Sequence, residues 1–194
     1  LSVPAIFMDR DGTVNEEMGY INHISRFKML PGSEEAVRLV NQSGLKAVVI
    51  TNQSGVGRGY FPDGLVEKVH ETLEKTLSQY GAHLDGIYYC PHHPVAAKGE
   101  YKKDCDCRKP KIGLIKKAAE ELDIDLSRSY MIGDRYNDVE MAKKFKGKGI
   151  LVLTGYGMGE YEHLRKSWPV EPDYIAKDLY EAVEWALRDA EKNN

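Results

Sequence analysis

An α/β architecture, a parallel sheet covered by helices on both faces, is what this 194-residue chain predicts. Two observations carry that expectation. Short, continuously apolar runs alternate with amphipathic helical stretches along the chain, and strands buried on both faces read as such runs. Three of the runs end in polar residues suited to chemistry, Asp9, Thr51 and Asp134. In sheets of this kind ligands bind outside the carboxyl ends of the strands.

Taken in order, residues 3–8 form the first buried strand. It delivers Asp9-Arg10-Asp11-Gly12-Thr13, two carboxylates two residues apart where Gly12 permits a sharp turn. Asp is a poor strand former and its charge is costly to bury unpaired, so the pair calls for a cation or a reacting group. The plainer alternative is a polar turn in which both aspartates cap backbone amides. Residues 12–31, with Gly19, Asn22 and Pro31-Gly32, predict a loop or small flap over the strand end. Ser33 is expected to N-cap a helix carrying Glu34 and Glu35 in its first turn and Ala36, Val37, Leu39 and Val40 on its apolar face. Gly44 ends that helix, and residues 45–50 form a second strand running into Thr51-Asn52-Gln53-Ser54-Gly55.

Asp63 is expected to cap a long helix with Leu65, Val66, Val69, Leu73 and Leu77 at helical spacing, ending near Gly81. A third strand spans 86–90. Residues 91–110 are irregular, rich in Cys, His, Lys and Asp, and too long for a plain connection. A helix follows at about 112–122 and a fourth strand at 129–132, which ends in Gly133-Asp134-Arg135-Tyr136-Asn137-Asp138 and another helix. A fifth strand at 149–153 and a closing helix at 179–190 complete the pattern, with no internal repeat or linker. One domain over residues 1–194 accommodates all of it.

The formal net charge of -3 argues against a strongly basic nucleic-acid-binding surface, and no apolar run approaches a membrane span. Leu1-Ser2-Val3-Pro4 leads straight into the first strand, so no signal peptide is expected. Three cysteines make a poor disulfide framework. A cytoplasmic monomer is the economical expectation.

Asp9, Asp11, Asp134 and Asp138 cannot share one crevice as bare carboxylates, because like charges in contact raise each other's pKa. A bound Mg²⁺ resolves the conflict, since it takes carboxylates, waters and a substrate phosphate. One aspartate can then attack phosphorus while a second protonates the leaving oxygen and later activates water. Thr51 and a lysine would hold the phosphoryl oxygens. Lys109, immediately before a helix, is the candidate, against the alternative of a solvated surface lysine.

Cys90-x-His92 and Cys105-x-Cys107 supply four ligands of the types zinc prefers, on spacers shorter than those of zinc fingers. Three reduced thiols beside an exposed loop histidine are the alternative, and His93 rivals His92. With four protein ligands the Zn²⁺ site would be closed and structural, clamping the loop that carries Arg108 and Lys109.

Asp9-x-Asp11-Gly12-Thr13, Thr51-Asn52, Lys109 and Gly133-Asp134-x-x-x-Asp138, in that order, resemble the four motifs of the haloacid dehalogenase (HAD) superfamily of phosphatases. The resemblance implies a Rossmann-like HAD fold with Asp9 as nucleophile and Asp11 as general acid/base. It implies phosphate binding at Thr51, Asn52 and Lys109. It also implies Mg²⁺ held by Asp9, the backbone carbonyl of Asp11, and Asp134, with Asp138 a second acidic position. Thr51-Asn52-Gln53-Ser54-Gly55, Arg58-Gly59-Tyr60-Phe61, Tyr88-Tyr89-Cys90-Pro91-His92-His93-Pro94 and Cys105-Asp106-Cys107-Arg108-Lys109-Pro110 are similar to the heptose bisphosphate phosphatase family, and the likeness covers nearly the whole chain. That family implies no large cap domain, a zinc-binding loop insertion, and removal of the 7-phosphate of a heptose 1,7-bisphosphate on the way to nucleotide-activated heptose.

Arg58 and Arg108 are the cations expected to meet the second phosphate, for Arg suits bidentate phosphate contacts. A histidinol-phosphate phosphatase is the nearest alternative and would need a slot for an imidazole and an ammonium group instead. A nucleic-acid 3′-phosphatase would want a basic groove with stacking aromatics. From a different class, a zinc-bearing binding protein without catalysis would be expected had Asp9 or Asp11 been replaced.

Overall fold

A computed structural model describes residues 2–192; Leu1, at the start of the segment expected to lead into the first strand, lies outside them. Six strands, β1 (Ala5–Met8), β2 (Lys46–Asn52), β3 (Gly86–Cys90), β4 (Tyr130–Gly133), β5 (Lys148–Val152) and β6 (Tyr174–Ala176), form one parallel sheet in the order β3-β2-β1-β4-β5-β6. The direction of strand addition reverses between β1 and β4. The carboxyl ends of those two strands therefore frame the crevice where doubly wound sheets bind ligands. Met8 pairs with Ile132, and the Asp9 amide donates to Ile132 O at 2.9 Å, carrying the ladder one residue past β1. Asp9 and Asp134 consequently leave the sheet side by side.

The alternation of side chains along β1 assigns the two layers. Ile6 and Met8 pack into the core shared with α1 (Ser33–Ser43), α3 (Asp63–Gln79) and α7 (Leu179–Lys192). Ala5 and Phe7 pack into the core shared with α4 (Gly113–Leu122) and α5 (Tyr136–Lys144). With both faces covered, β1 has no solvated side and reads as a continuous apolar run. Residues 12–31 fold as the expected flap, pinned by a bridge between Asn15 and Met29 and a 3₁₀ turn at Ile24–Arg26.

Several local expectations shift. Ser33 is the first residue of α1 rather than its cap. Gly32, at φ +83°, takes the cap position because the Pro31-Gly32 turn has already brought the chain into line. Asp63 likewise begins α3 after Pro62, and its carboxylate accepts a 2.8 Å bond from the Tyr89 hydroxyl, tying α3 to β3 instead of capping it. β1 starts at Ala5, with Val3 making only an isolated bridge to Ile124, and Leu153 falls beyond β5. Three elements were not foreseen: β6, α2 (Ser54–Arg58) and α6 (Gly157–Leu164). A three-residue edge strand is too short to show periodicity, and a five-residue helix too short to bury a stripe.

Candidate active site

The loop after β1 is pressed against the end of β4. Gly12 sits at φ +82°, and a Cβ there would collide with the carboxylate of Asp134, so glycine is required twice over. Asp9, Asp134 and Asp138 present oxygens that all lie within 4.8 Å of one another, and the last two residues are each only 1% exposed. Lys109 enters from the loop before α4 and places Nζ 2.8 Å from Oδ1 of both Asp9 and Asp138.

One ammonium does not balance three carboxylates, and Oδ2 of Asp138 is buried without a hydrogen-bond partner. A hard divalent cation among these oxygens answers the charge deficit, so the donor set fits Mg²⁺. Without it, burial pushes the carboxyl of Asp134 up to about 8. Burial likewise pushes Asp9 up to about 6, even with Lys109 beside it. Burial works against the Lys109 charge too, but Asp138 and Asp9 outweigh it and hold the ammonium's pKa above the ordinary lysine value.

Asp11 stands apart from this cluster. Its carboxylate takes Nη2 of Arg10 at 3.0 Å to each oxygen, Nδ2 of Asn15 at 2.9 Å and Nε2 of Gln53 at 2.8 Å. Burial alone would raise its pKa, but the Arg10 charge and these donors prevail and hold it below the usual carboxylate range. Gln53 Nε2 also donates to Thr51 Oγ1 at 2.9 Å, which leaves the threonine hydroxyl hydrogen available for an anion. Asn52 lines the same cavity, yet its amide is turned to the main chain of Lys109 at both ends. The arrangement makes Asn52 the clamp of the lysine.

These groups line a cavity of about 350 Å³, the scale of a small phosphorylated metabolite. Three arginines, Arg58, Arg108 and Arg135, also line it, with Glu17 among the other wall residues. Arg58 Nε is buried without a partner, while Arg108 Nη1 donates to His92 O at 3.2 Å. Arg135, which drew no assignment from the sequence, lies 3.8 Å over the Tyr156 ring. Tyr20 of the flap closes another side, its ring 4.9 Å from Tyr60 edge to face.

Next to the cavity, Cys90 at the end of β3 meets His92, Cys105 and Cys107. The contacts among Sγ atoms and His92 Nδ1 run from 3.0 to 3.6 Å. A tetrahedron with Zn–S bonds of about 2.3 Å has edges of about 3.7 Å, so the four donors converge as a closed zinc site requires. His93 is otherwise engaged, its Nδ1 accepting from the amides of Val95 and Ala96 at 3.2 and 2.9 Å.

A parallel sheet whose switch point gathers an aspartate cluster, a lysine and a threonine defines a hydrolase of the HAD type. Residues 106–182 match the family model described as HAD-hydrolase-like. The D-glycero-beta-D-manno-heptose-1,7-bisphosphate 7-phosphatase of Photorhabdus laumondii is 45% identical over 154 residues, 79% of this chain and 82% of that protein. The enzyme of the same name from Escherichia coli K12 is 44% identical over 155 residues, 79% of this chain and 81% of that protein. The D,D-heptose 1,7-bisphosphate phosphatase of B. bronchiseptica, solved with magnesium and phosphate, superposes with a TM-score of 0.84 at 30% identity, over 96% of this chain and 99% of its own. The chain belongs to the D-glycero-beta-D-manno-heptose-1,7-bisphosphate 7-phosphatase family.

Apart from the rival ligand His93, every residue given a catalytic, binding or metal role from the sequence lies in the cavity wall or the cysteine–histidine cluster. The supporting residues Arg10, Asn15, Gln53 and His70 were missed. Arg10 and Gln53 stand inside motifs read for their neighbours and Asn15 lies just beyond one, and only the number of donors an ionised Asp11 needs pointed to them.

Proposed function

We propose that the chain is a Mg²⁺-dependent phosphatase that removes the 7-phosphate of D-glycero-D-manno-heptose 1,7-bisphosphate through an aspartyl-phosphate on Asp9, within the biosynthesis of nucleotide-activated heptose. The observation that carries the reading is the division of labour between two aspartates two residues apart. Asp9 is held at the β1/β4 crevice by Lys109, and Asp11 is held ionised and apart by Arg10, Asn15 and Gln53.

Lys109 and the Arg10 amide both bind Oδ1 of Asp9, which leaves Oδ2 to attack phosphorus. As that bond forms, the bond from phosphorus to the sugar oxygen breaks; Asp11, a carboxylate in the free site, takes up a proton as the anionic phosphate enters beside it and gives that proton to the leaving oxygen. Asp11, now a carboxylate, then takes a proton from water as the water oxygen attacks phosphorus. Phosphate departs and Asp9 is regenerated. Thr51 and Lys109 bind the phosphoryl oxygens throughout. Asp9, Asp134 and the carbonyl of Asp11 would hold Mg²⁺, which when bound supplies charge neutralisation for the phosphoryl group. Arg58 and Arg108 meet the 1-phosphate, and Cys90, His92, Cys105 and Cys107 would hold Zn²⁺, which would brace the Arg108–Lys109 loop.

We extend the proposal to a cytoplasmic monomer whose residues 1–194 act as one domain. Its three cysteines gather in one candidate metal site instead of forming disulfides, which suits a reducing compartment. Among the described residues no helix is long and apolar enough to cross a membrane.

The test is phosphate release with Mg²⁺ from both anomers of the heptose bisphosphate, histidinol phosphate and a 3′-phosphorylated oligonucleotide, with Asp9→Asn as the blank. The expected result is a kcat/KM preference for one heptose anomer and a loss of at least about 10³-fold in Asp9→Asn. Preference for histidinol phosphate would overturn the substrate assignment, and turnover surviving in Asp9→Asn would overturn the mechanism.

A further inference from the structure

Arg10 is 1% exposed, among the largest fully buried side chains in the molecule, and its Nε has no partner. Its guanidinium is therefore oriented by what Nη1 and Nη2 meet. Nη2 grips both oxygens of Asp11 at 3.0 Å. Nη1 reaches across to α3, where it lies 3.1 Å from Nε2 of His70. A guanidinium has only donors and keeps its proton, so His70 Nε2 must be the acceptor, and the ring carries its hydrogen on Nδ1. The ring is itself held edge-on to Tyr89 of β3, centroids 5.7 Å apart. Tyr89 is in turn anchored by its hydroxyl to Asp63 at 2.8 Å.

We propose that His70 is a positioning residue for Asp11, acting through Arg10: the imidazole aims the guanidinium so that its other nitrogen holds the Asp11 carboxylate at a fixed angle. The inference rests on the reading of Asp11 as the group that moves the proton. The physical basis is that a buried Arg with one unsatisfied nitrogen has no third contact to restore its orientation. Loss of the His70 acceptor would leave Nη1 unpaired as well and free the guanidinium to turn. His70 is far along the chain from Asp11 and touches no group that contacts phosphorus, so its effect should appear in turnover rather than in substrate affinity.

The experiment compares His70→Leu with His70→Gln, whose side-chain carbonyl can take the place of Nε2 as acceptor. In steady-state hydrolysis of the heptose bisphosphate, His70→Leu is expected to lose about 10- to 100-fold in kcat with KM changed less than about twofold. Acid quenching during turnover should trap more acyl phosphate on Asp9 than in the parent enzyme, because the water-activating step is slowed. His70→Gln should recover most of kcat. Equal kcat in the two variants, an effect confined to KM, or parental kcat in His70→Leu would overturn the inference.

Imidazole ¹⁵N resonances supply a measure that needs no turnover. The Nδ1-protonated tautomer is expected for His70 and should be lost in Arg10→Met, whereas an Nε2-protonated ring in the parent protein would overturn the proposed contact. Failure of the parent enzyme to release phosphate would strike the functional reading instead, and the tautomer would still decide the His70–Arg10 link.

Discussion

Asn52 holds Lys109 by its main chain: its Oδ1 accepts from the Lys109 amide at 3.0 Å, and its Nδ2 donates to the Lys109 carbonyl at 3.4 Å. A residue at the end of β2 thereby fixes the backbone of a loop that arrives 57 positions later. The lysine side chain can then span Asp9 and Asp138 without searching for its place.

Asn52→Ala removes the clamp and leaves every charge in the cavity unchanged. Activity is expected to fall by about 10- to 100-fold, with weaker inhibition by inorganic phosphate, since Lys109 would be misplaced by a fraction of an ångström. Chemical denaturation would show a loss of only about 1 kcal/mol for the stronger of the two bonds. A kcat/KM equal to the parent's would show that the zinc loop alone positions Lys109.

Stripped of divalent metal, the protein should become less stable as pH rises from about 4 to 8. Asp134 and Asp9 have pKa values raised by burial to about 8 and about 6. Between their ordinary and raised values the native state binds more protons than the unfolded state, so stability is full at the acid end and declines with increasing pH. Mg²⁺ should raise Tm most at the alkaline end, where the carboxylates are ionised. Thermal melts across pH, with and without Mg²⁺, check this, and a flat metal-free profile would contradict it.

Gly12→Ala is expected to be worse than an ordinary surface change. Its left-handed φ costs about 1–2 kcal/mol for a residue with a Cβ, and that Cβ would also collide with Asp134. The expected outcome is a folded protein with lowered Tm whose Mg²⁺ requirement, read from activity against metal concentration, shifts upward by at least about tenfold.

Zinc removal should act through the loop rather than through the sheet. Chelation, or Cys105→Ser, frees residues that carry Arg108 and Lys109 into the cavity, while β1, β2 and β4 keep their own pairing. Hydrogen exchange should rise over residues 91–110 first, and activity should vanish before the far-ultraviolet circular dichroism changes. Simultaneous loss of both signals would mean that the metal holds the whole fold.

Much of the site was legible because its parts sit where strands end. Asp9, Thr51 and Asp134 are polar residues terminating apolar runs, so their convergence follows from a parallel sheet alone. Cys90, Cys105 and Cys107 were legible through scarcity, as all the thiols in the chain. Less could be read where a side chain's partner lies across the fold. The choice between His92 and His93 depended on which Nδ1 the loop turned toward Cys107. The starts of α1 and α3 were misread by one residue because Gly32 and Pro62 set the entry of the chain, where propensity favoured Ser33 and Asp63 as caps.

By itself the sequence determined the parallel α/β class, the succession of strands and helices out to β5 apart from the short α2, and the residue types available at each strand end. Those are properties of hydrophobic periodicity and local turn chemistry, which act over a few residues. Only the tertiary structure decided that Asp138 joins Asp9 and Asp134 around one point, that Asn52 serves Lys109, and that Asp11 is held by Arg10 with His70 behind it. It also decided that β6 closes the edge of the sheet. Each of these depends on hydrogen bonds and burial between segments distant in the chain, where a donor's direction is set by packing and not by its neighbours in sequence.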